Sequence, residues 1–537
     1  MELCLVDDAS RNPEVVRALD ALGKEAGVRL RRLPENQGIA AATNAAIELA
    51  TGDFLVFVDH DDALSQDALS RVAQACRWIL HSTSSTPIRD VVDEEDSSTG
   101  LLQARLVAEL LLAYMCVGHL KVVRTSLARR LSSLRPGFEG AADYDFMLRL
   151  AERTDRVHHL PEVLYHWRAA VNSIARHSDA KTHARRVRPP RAVTETLEQQ
   201  GIPAAAEWPA WAQRIRTGVY RTRHAGGAMG RVTILIPTRD RVDLLRDCIA
   251  SIEDRTDYDD WEILVLDNDS RDAETLDYLA KTPHQVLRVP GPFNFSRIVN
   301  RGVEASRSEF VLLLNNDTLV ASTDWLTEMV GTLRLPSVGA VGAKLLYLRT
   351  DRIQHAGVTM GVHGLTGHAF EDAPGPLRPD RDGVLRSRPR NVGAVTACLL
   401  TPSRPIGRSA GSTRKRSRSR GTTRISASAS VRGAGGSWWA PLAELIHLCS
   451  ASGATRRGDR EVGVMFERWS RQIDRDPTRI RTGAGSTTTS GLGPARRAQP
   501  LPATQPPAST RRPADTAGDE RGTMSPSRSM RSGGHRA

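Results

Sequence analysis

The chain repeats itself, and the repeat restricts the folds that it can adopt. The segment ELCLVDDAS at Glu2–Ser10 matches EILVLDNDS at Glu262–Ser270. Further on, TNAAIELATGDFLVFVDHDD at Thr43–Asp62 matches VNRGVEASRSEFVLLLNNDT at Val299–Thr318, and the spacing between the blocks differs by only a few residues. A repeat unit of this length is typical of duplicated domains and not of a solenoid. We call the two halves copy one and copy two.

Each copy alternates between strand and helix patterns. In copy one, Ile39–Leu49 places apolar residues on one helical face, and Phe54–Val58 is a continuous apolar run of strand length. Such a run predicts a central parallel strand that is covered on both sides. Copy two begins with a further strand and helix, Val232–Ile252, that copy one lacks. The pattern predicts an α/β fold whose first copy is without its opening strand and helix.

Acidic residues follow the apolar runs in both copies, at Asp59–Asp62 and at Asn315–Asp317. In open α/β sheets, ligands bind at the carboxyl ends of the strands. Two carboxylates at positions i and i+2 can face one divalent cation, and hard oxygen ligands suit Mg²⁺ or Mn²⁺. The alternative is that Asp61, Asp62 or Ser65 caps the following helix.

A second acid-bearing loop follows an earlier strand of each copy, at LVDDAS and VLDNDS. One loop can hold a base or ribose while the other holds a metal-bound diphosphate, a layout that indicates a nucleotide-diphosphate substrate. The chain contains no Gly-x-Gly-x-x-Gly and no Gly-x-x-x-x-Gly-Lys motif. Dinucleotide-binding and P-loop folds are therefore disfavoured.

Charge and cysteine usage indicate the compartment and the kind of partner. The net charge of +12 favours anionic partners, namely nucleotides, nucleic acid or an acidic membrane surface. The cysteines form no Cys-x-x-Cys pair, which argues against a zinc site and for a reducing compartment. No signal peptide pattern and no apolar run of about 18 residues is present. We predict a cytoplasmic protein, with peripheral attachment to the inner face of the membrane left open.

The regular pattern stops after Leu400. Residues 403–436 are basic and rich in Ser and Gly, whereas WWAPLAELIH and VMFERWSRQIDRDP look ordered again. One explanation is a disordered basic tail that binds nucleic acid or anionic lipid. The other is a reading-frame error in Arg-rich coding sequence, which the unpatterned residues 81–103 also favour. The final residues cannot form a core.

Taken in order, the motifs resemble those of family-2 glycosyltransferases of GT-A fold, in particular tandem bacterial enzymes that build cell-surface polysaccharides. Copy two carries VTILIPTRDR, EILVLDNDS, GPFNFSRIVNRGVEASRSEFVLLLNNDT and VGAVGAKLLY…RIQHAGV. Copy one carries LVDDAS, NQGIAAATNAAIELATGDFLVFVDHDD, GFEGAADYDFMLRL and VLYHWRA. The resemblance covers residues 1–80, 104–225 and 231–402.

The resemblance implies two Rossmann-like, nucleotide-diphospho-sugar transferase domains in tandem, the first N-terminally truncated, before a disordered basic tail. The predicted segments are a first transferase domain (1–171), a connector (172–230), the nucleotide-binding part of a second (231–402), its disrupted remainder (403–477) and a disordered tail (478–537).

The resemblance also implies a role for each candidate residue. The nucleoside contacts would be Asp8 in copy one and Pro237, Thr238, Arg239 and Asp267 in copy two. The metal and diphosphate contacts would be Asp59, Asp61, Asn315 and Asp317. Asp143 would be the general base that deprotonates an acceptor hydroxyl in an inverting transfer. His166 matches a strand end where some members place a further metal or phosphate contact, although a surface histidine is the commoner case.

The implied partners are a nucleotide-sugar donor, a divalent cation (Mg²⁺ or Mn²⁺) and a saccharide or lipid-linked saccharide acceptor. Three rival hypotheses remain. The first is that the chain is an inactive remnant, since copy one lacks a strand and copy two lacks a counterpart of Asp143. The second is that it binds nucleic acid through its tail, a partner that the resemblance disfavours. The third is a sugar nucleotidyltransferase, which would place a Gly-rich loop with Arg and Lys where IPTRDR stands.

Overall fold

The computed structural model describes most of the two repeated copies and little of the chain after them. The described residues are 1–78, 84–92, 98–101, 108–131, 134–154, 156–168, 179–214, 217–224, 229–360, 366–375, 390–392, 397–403, 436–448, 479–481 and 487–489. The unpatterned stretch 81–103 is described only in part. VMFERWSRQIDRDP and nearly all of the predicted tail lie outside these residues.

Copy one and the segment after it alternate between helices and strands. Their bounds are β1 Leu3–Asp7, α1 Pro13–Leu22, β2 Val28–Arg32, α2 Ile39–Leu49, β3 Phe54–Phe57, β4 Ala63–Leu64, α3 Ala68–Trp78, β5 Ser84–Val92, β6 Ser98–Leu101, α4 Ala108–Ala113, β7 Lys121–Arg124, α5 Thr125–Arg130, α6 Ala142–Arg153, β8 Val157–Arg168, α7 Asp179–Gln199, β9 Ala204–Glu207, α8 Ala210–Arg214 and β10 Arg221–His224.

Copy two continues the same alternation. Its elements are β11 Val232–Thr238, α9 Val242–Arg255, β12 Trp261–Asp267, α10 Ala273–Lys281, β13 Gln285–Arg288, α11 Phe295–Ala305, β14 Phe310–Leu314, β15 Thr318–Val320, α12 Trp325–Leu333, β16 Val338–Tyr347, β17 Ile353–His355, β18 Val358–Met360, β19 Thr366–His368, β20 Arg390–Val392, β21 Cys398–Pro402 and β22 Gly436–His447. Two short strands, β23 Arg479–Arg481 and β24 Thr487–Thr489, form a hairpin inside the predicted tail.

The strand order is the same in the two copies apart from one strand. Copy two orders its strands β13-β12-β11-β14-β21-β16-β22-β15. In copy one, β2-β1 and β3-β7-β5-β8-β4 form two separate sheets. The repeat aligns β1 with β12 and β3 with β14, so the break falls where β11 lies in copy two. Among the described residues, the sheet of copy one is thus interrupted at the position that β11 fills in copy two.

The gap overturns one prediction, that Phe54–Val58 is a central parallel strand. Strand β3 is an edge strand that pairs only with the antiparallel β7 among the described residues. Its counterpart β14 pairs with β11 as well, and all five of its residues are buried. Only Leu55 is buried in β3. The apolar run predicted burial correctly for β14, but the described residues of copy one place no strand on the other side of β3.

A glutamate at the same repeat position accepts a hydrogen bond from the turn before β14 in copy two and from the turn before β3 in copy one. Glu262 accepts hydrogen bonds from Thr233 on β11 at 2.8 Å and from Ser308 at 3.2 Å. Glu2, at the same repeat position, accepts from the Gly52 amide at 2.8 Å. The Glu2 side chain therefore ties β1 to the turn before β3 across the position that β11 fills in copy two.

Gly302 marks the closest approach of α11 to the sheet. A Cβ atom at this position would lie 2.7 Å from Leu266 Cδ1 and 3.2 Å from Leu235 Cδ2, a side chain of β11. Copy one has Ala46 at the same repeat position, above the gap in its sheet.

Replacing Gly302 by valine is therefore expected to lower the free energy of unfolding by about 1–3 kcal/mol, because the core is already filled there. Urea unfolding followed by tryptophan fluorescence measures the change. Ala46→Val is the matched control and is expected to cost less. Equal losses in the two variants would contradict the close packing of α11 on β11.

The described residues of the predicted connector, 172–230, form the helices α7 and α8 and the antiparallel strands β9 and β10. Arg221 on β10 donates to Glu328 at 2.8 Å and also pairs with Asp324, both on or beside α12 of copy two. The main cluster of buried apolar residues takes in Leu111 and Trp438, so copies one and two share part of one core. The domain limits drawn from the sequence stay a prediction.

The segment 403–477 was predicted to be disrupted, yet β22 within it is a central strand. It runs parallel to β16 and antiparallel to β15. Trp438 and Trp439 at its start are fully buried. The matching strand of copy one is β8, parallel to β5 and antiparallel to β4. The apolar segment WWAPLAELIH therefore completes the sheet of copy two.

Candidate functional site

Three strands of copy two end at one edge of the sheet. Strand β11 pairs in parallel with β12, where Thr238 stands opposite Asp267, and also with β14. The residues after β14 lie close to the end of β11, since the side-chain amide of Asn316 donates to Thr238 Oγ1 at 3.2 Å. The structure thus brings together Thr238, Asp267 and the Asn315–Asp317 loop at the edge where α/β sheets bind ligands.

Asp267 is a buried carboxylate that shapes its own loop. It accepts a hydrogen bond from the Ser270 amide at 2.9 Å, and Asp269 between them has a φ of 63°. In copy one, Asp7 accepts from the Ser10 amide at 2.9 Å, and Ala9 has a φ of 61°. The position that corresponds to Asp267 is therefore Asp7, which the sequence analysis did not select.

Asp8, the predicted nucleoside contact of copy one, holds the loop before α2. Its two carboxylate oxygens accept hydrogen bonds from the amides of Gln37 at 2.7 Å and Gly38 at 2.8 Å. Its contact with a nucleoside stays a prediction.

Pro237 and Arg239 flank Thr238 at the end of β11. Pro237 is half-buried and Arg239 is exposed, with Asp240 Oδ2 4.0 Å from its Nε. Asp240 accepts from the amides of Asp272 and Arg271, at 3.0 and 2.8 Å. These amides hold the pKa of Asp240 below its ordinary value. Arg239 thus offers an exposed cation beside a fixed loop.

An acidic cluster lies at the corresponding edge of copy one. Asp59, Asp62 and His119 each offer one ligand atom, and these atoms lie within 4.8 Å of one another. Asp61 is exposed and is not part of this group. Burial raises the pKa of Asp59, as do the neighbouring acids, whereas Lys121 opposes the increase. The structure therefore groups Asp59 with Asp62 and His119, and not with Asp61.

Residues of β8 contact both Asp62 and His119. The Tyr165 hydroxyl donates to Asp62, and the Arg168 amide donates to the other Asp62 oxygen at 2.9 Å. The His119 ring stacks on Tyr165 with centroids 5.0 Å apart. Sequence reasoning considered Asp62 only as a helix cap. It missed His119, because a lone histidine between two apolar segments carries no pattern.

Asp143 stands at the start of α6, close to the same cluster. Lys121 Nζ donates to Asp143 Oδ2 at 3.3 Å. Desolvation favours the neutral carboxyl, but the Lys121 ammonium and the nearby His119 outweigh it and lower the pKa of Asp143. The side chain remains 53% exposed. Asp143 is therefore an accessible carboxylate that stays ionised at neutral pH.

The Lys121 ammonium leads to a prediction about pH. Because the pKa of Asp143 is lowered, its ionised state persists on acidification until the pH falls below the ordinary value of about 3.9. In Lys121→Met the largest interaction that opposes desolvation is lost, so the pKa of Asp143 should rise. The acid limb of the kcat/KM profile is then expected to move to higher pH. Lys281→Met, an exposed lysine on α10, is the control and should leave this limb in place.

A histidine faces Asp317 in copy two. His447, the last residue of β22, places Nε2 3.2 Å from Asp317 Oδ1, and the Leu448 amide donates to the Asp317 carbonyl at 2.9 Å. The sequence analysis did not select His447, because the segment before β22 lacks pattern. His166, which it did consider, lies near the end of the matching strand β8. Asp317 and His447 together form a carboxylate–imidazole pair at the sheet edge.

Comparison with known proteins decides the family. Residues 1–127 and 233–356 each match the sequence model described as "Glycosyl transferase family 2".

Both segments belong to glycosyl transferase family 2.

The resemblance found in the sequence is thereby confirmed, and the mixed α/β structure agrees with the GT-A-like fold that it implied.

Two curated relatives extend the match. The chain is 36% identical over 501 residues to the uncharacterized protein y4gI of Sinorhizobium fredii, covering 89% of this chain and 53% of that protein. It is 36% identical over 385 residues to the O-antigen biosynthesis protein RfbC of Myxococcus xanthus, covering 70% and 29%. The chain thus spans about half or less of these relatives.

Among solved structures, GalNAc-T7 in complex with UDP, GalNAc and Mn²⁺ matches with a TM-score of 0.37. The identity is 15%, and the match covers 48% of this chain and 51% of that one. A likeness at this level carries no argument about the site. Within the part of the chain that the structure describes, no helix has both the length and the apolar character needed to cross a bilayer.

Proposed function

We propose that this protein transfers a sugar from a nucleotide-diphosphate donor to a saccharide or lipid-linked saccharide acceptor, with inversion and with the help of a divalent cation. The observation that carries the proposal is the sheet edge of copy two. There a strand-end loop around Thr238 and Asp267 adjoins the acid-bearing loop Asn315–Asp317. The first loop suits a nucleoside and the second a cation-bound diphosphate.

We further propose that the chain consists of two GT-A-like domains in tandem. The common strand order supports this, because seven strands of copy one each have a counterpart in copy two. The name of the RfbC relative, an O-antigen biosynthesis protein, supports a growing bacterial polysaccharide as the acceptor. Attachment to the membrane surface and a disordered basic tail stay predictions.

The residues present fit a divalent cation. In copy two, His447 Nε2 is buried without a hydrogen-bond partner and lies 3.2 Å from an Asp317 oxygen. Mixed carboxylate and imidazole ligands suit Mn²⁺, and Mg²⁺ is the harder alternative. In copy one a cation would instead have Asp59, Asp62 and His119 as ligands. When bound, the cation would stabilise charge on the leaving diphosphate.

Asp143 is the proposed general base. Its ionised carboxylate is accessible and lies near the Asp59 cluster, where it can take the proton of an attacking acceptor hydroxyl. The Lys121 ammonium at 3.3 Å keeps the carboxylate ionised before the reaction. The segment of copy two in which a counterpart would fall, residues 404–435, lies outside the described residues.

A second candidate is a chain in which copy one no longer binds donor. The gap between β1 and β3 favours it, since no described strand of copy one is equivalent to the strand that carries Thr238 in copy two. Under this alternative, donor binding resides in copy two alone.

Isothermal titration with UDP and Mn²⁺ tests both candidates. We expect binding that Asp317→Asn abolishes and that Asp59→Asn leaves in place if copy two is the donor site. Loss of binding in Asp59→Asn would assign donor binding to copy one. Absence of binding in the unmodified chain would refute the transferase proposal.

A further inference from the structure

The side-chain amide of Gln354 faces His447 in copy two. Gln354 lies on β17, and its residue is 8% exposed. Its Nε2 donates to the His447 backbone carbonyl at 3.4 Å, and its Oε1 lies 2.7 Å from His447 Nδ1. The amide therefore contacts both the main chain and the ring of one histidine.

These two contacts determine where the imidazole proton resides. A backbone carbonyl only accepts hydrogen bonds, so the Gln354 NH₂ group must be the end that faces it. The Gln354 oxygen then faces His447 Nδ1, and because that oxygen also only accepts, Nδ1 must carry the proton. In a neutral ring the lone pair is consequently on Nε2.

A carboxylate oxygen lies beside this nitrogen. His447 Nε2 has no hydrogen-bond partner and lies 3.2 Å from Asp317 Oδ1. A lone pair and a carboxylate oxygen repel each other at this distance unless a cation or a proton lies between them. Partners behind a ligating histidine usually fix its tautomer in this way.

We propose that Gln354 is a positioning residue that fixes His447 in the Nδ1–H tautomer and so presents Nε2, together with Asp317, to the divalent cation of copy two. This inference rests on the proposed function. The neighbours of Gln354 make the position rigid, because Ile353 and His355 on either side are 0% and 1% exposed. The backbone that carries Gln354 is therefore held in a buried strand.

The first test needs no cation and no activity. Nitrogen NMR of the full chain with labelled histidine is recorded at alkaline pH. His447→Gln assigns the signal. We expect His447 to carry its proton on Nδ1, and in Gln354→Leu to show a mixture of tautomers. A proton on Nε2 in the unmodified chain would overturn the inference.

The second test measures Mn²⁺ affinity by calorimetry. An Asp59→Asn background removes the cluster of copy one, so that copy two is observed alone. Gln354→Leu is expected to weaken Mn²⁺ binding about 10–100-fold. Gln354→Glu keeps an acceptor for Nδ1–H and should recover most of the affinity. Gln285→Leu, the same change on the exposed strand β13, should have no effect.

The outcomes separate the inference from the proposed function. Unchanged Mn²⁺ affinity in Gln354→Leu would overturn the inference even if the cation binds. If the background chain does not bind Mn²⁺, the proposed cation of copy two is refuted. The tautomer of His447 then still decides whether Gln354 controls the ring.

Discussion

Asp143→Asn is expected to lower the rate of sugar transfer by about 10²–10⁴-fold, the usual contribution of a general base. Asparagine keeps the shape of the side chain and can still contact Lys121, but it cannot accept the proton of the acceptor hydroxyl. Donor binding should remain unchanged, since the carboxylate acts on the acceptor. Single-turnover transfer and UDP calorimetry on the same preparation measure the two effects separately.

Glu198→Gln is the matched control for this variant. It removes a carboxylate from the exposed surface of α7, away from the Asp59 cluster. Its transfer rate should equal that of the unmodified chain. Transfer by Asp143→Asn within threefold of that control would show that the base is another residue.

Asp145→Ala is expected to have the largest effect on stability, about 3–5 kcal/mol. Asp145 is 1% exposed and accepts hydrogen bonds from Arg135 and Arg149, the latter at 2.9 Å. Arg135 also binds Glu195 on α7 at 2.7 Å, so the network joins α6 to the following helix. Removing the carboxylate leaves two guanidinium groups without their shared partner. Urea unfolding followed by tryptophan fluorescence measures the loss.

Asp143→Ala provides the comparison for this stability effect, because it changes the same residue type two positions earlier on the same helix. Asp143 is 53% exposed, so its loss should cost much less. If both variants lose equal stability, the Asp145 network does not hold α6 in place. Arg149→Met should reproduce part of the Asp145 loss, since one of the two ion pairs remains.

The repeat predicted the common strand order of the two copies. Pairing Glu2–Ser10 with Glu262–Ser270 anticipated strands that occupy the same place in that order. Apolar runs and their spacing predict local elements because burial dictates which residues a strand or helix shows to the core.

The acid loops were only partly predicted. The sequence correctly located acidic residues at the strand ends, but the Asp-x-Asp spacing indicated Asp61 where the structure groups Asp62 with Asp59. The Tyr165 hydroxyl and the Arg168 amide, which hold Asp62, lie about a hundred residues further along the chain. A spacing rule within one loop does not include such distant hydrogen-bond donors.

The sequence by itself determined the α/β class, the duplicated order of strands and the loops that carry the candidate chemistry. These features follow from local periodicity and from comparison of the chain with itself. Only the tertiary structure decided that β3 is an edge strand, that β22 completes the sheet, and that His119 and His447 join the acids. The physical reason is that strand pairing and side-chain clusters depend on residues that are distant in sequence and become neighbours only when the sheet forms.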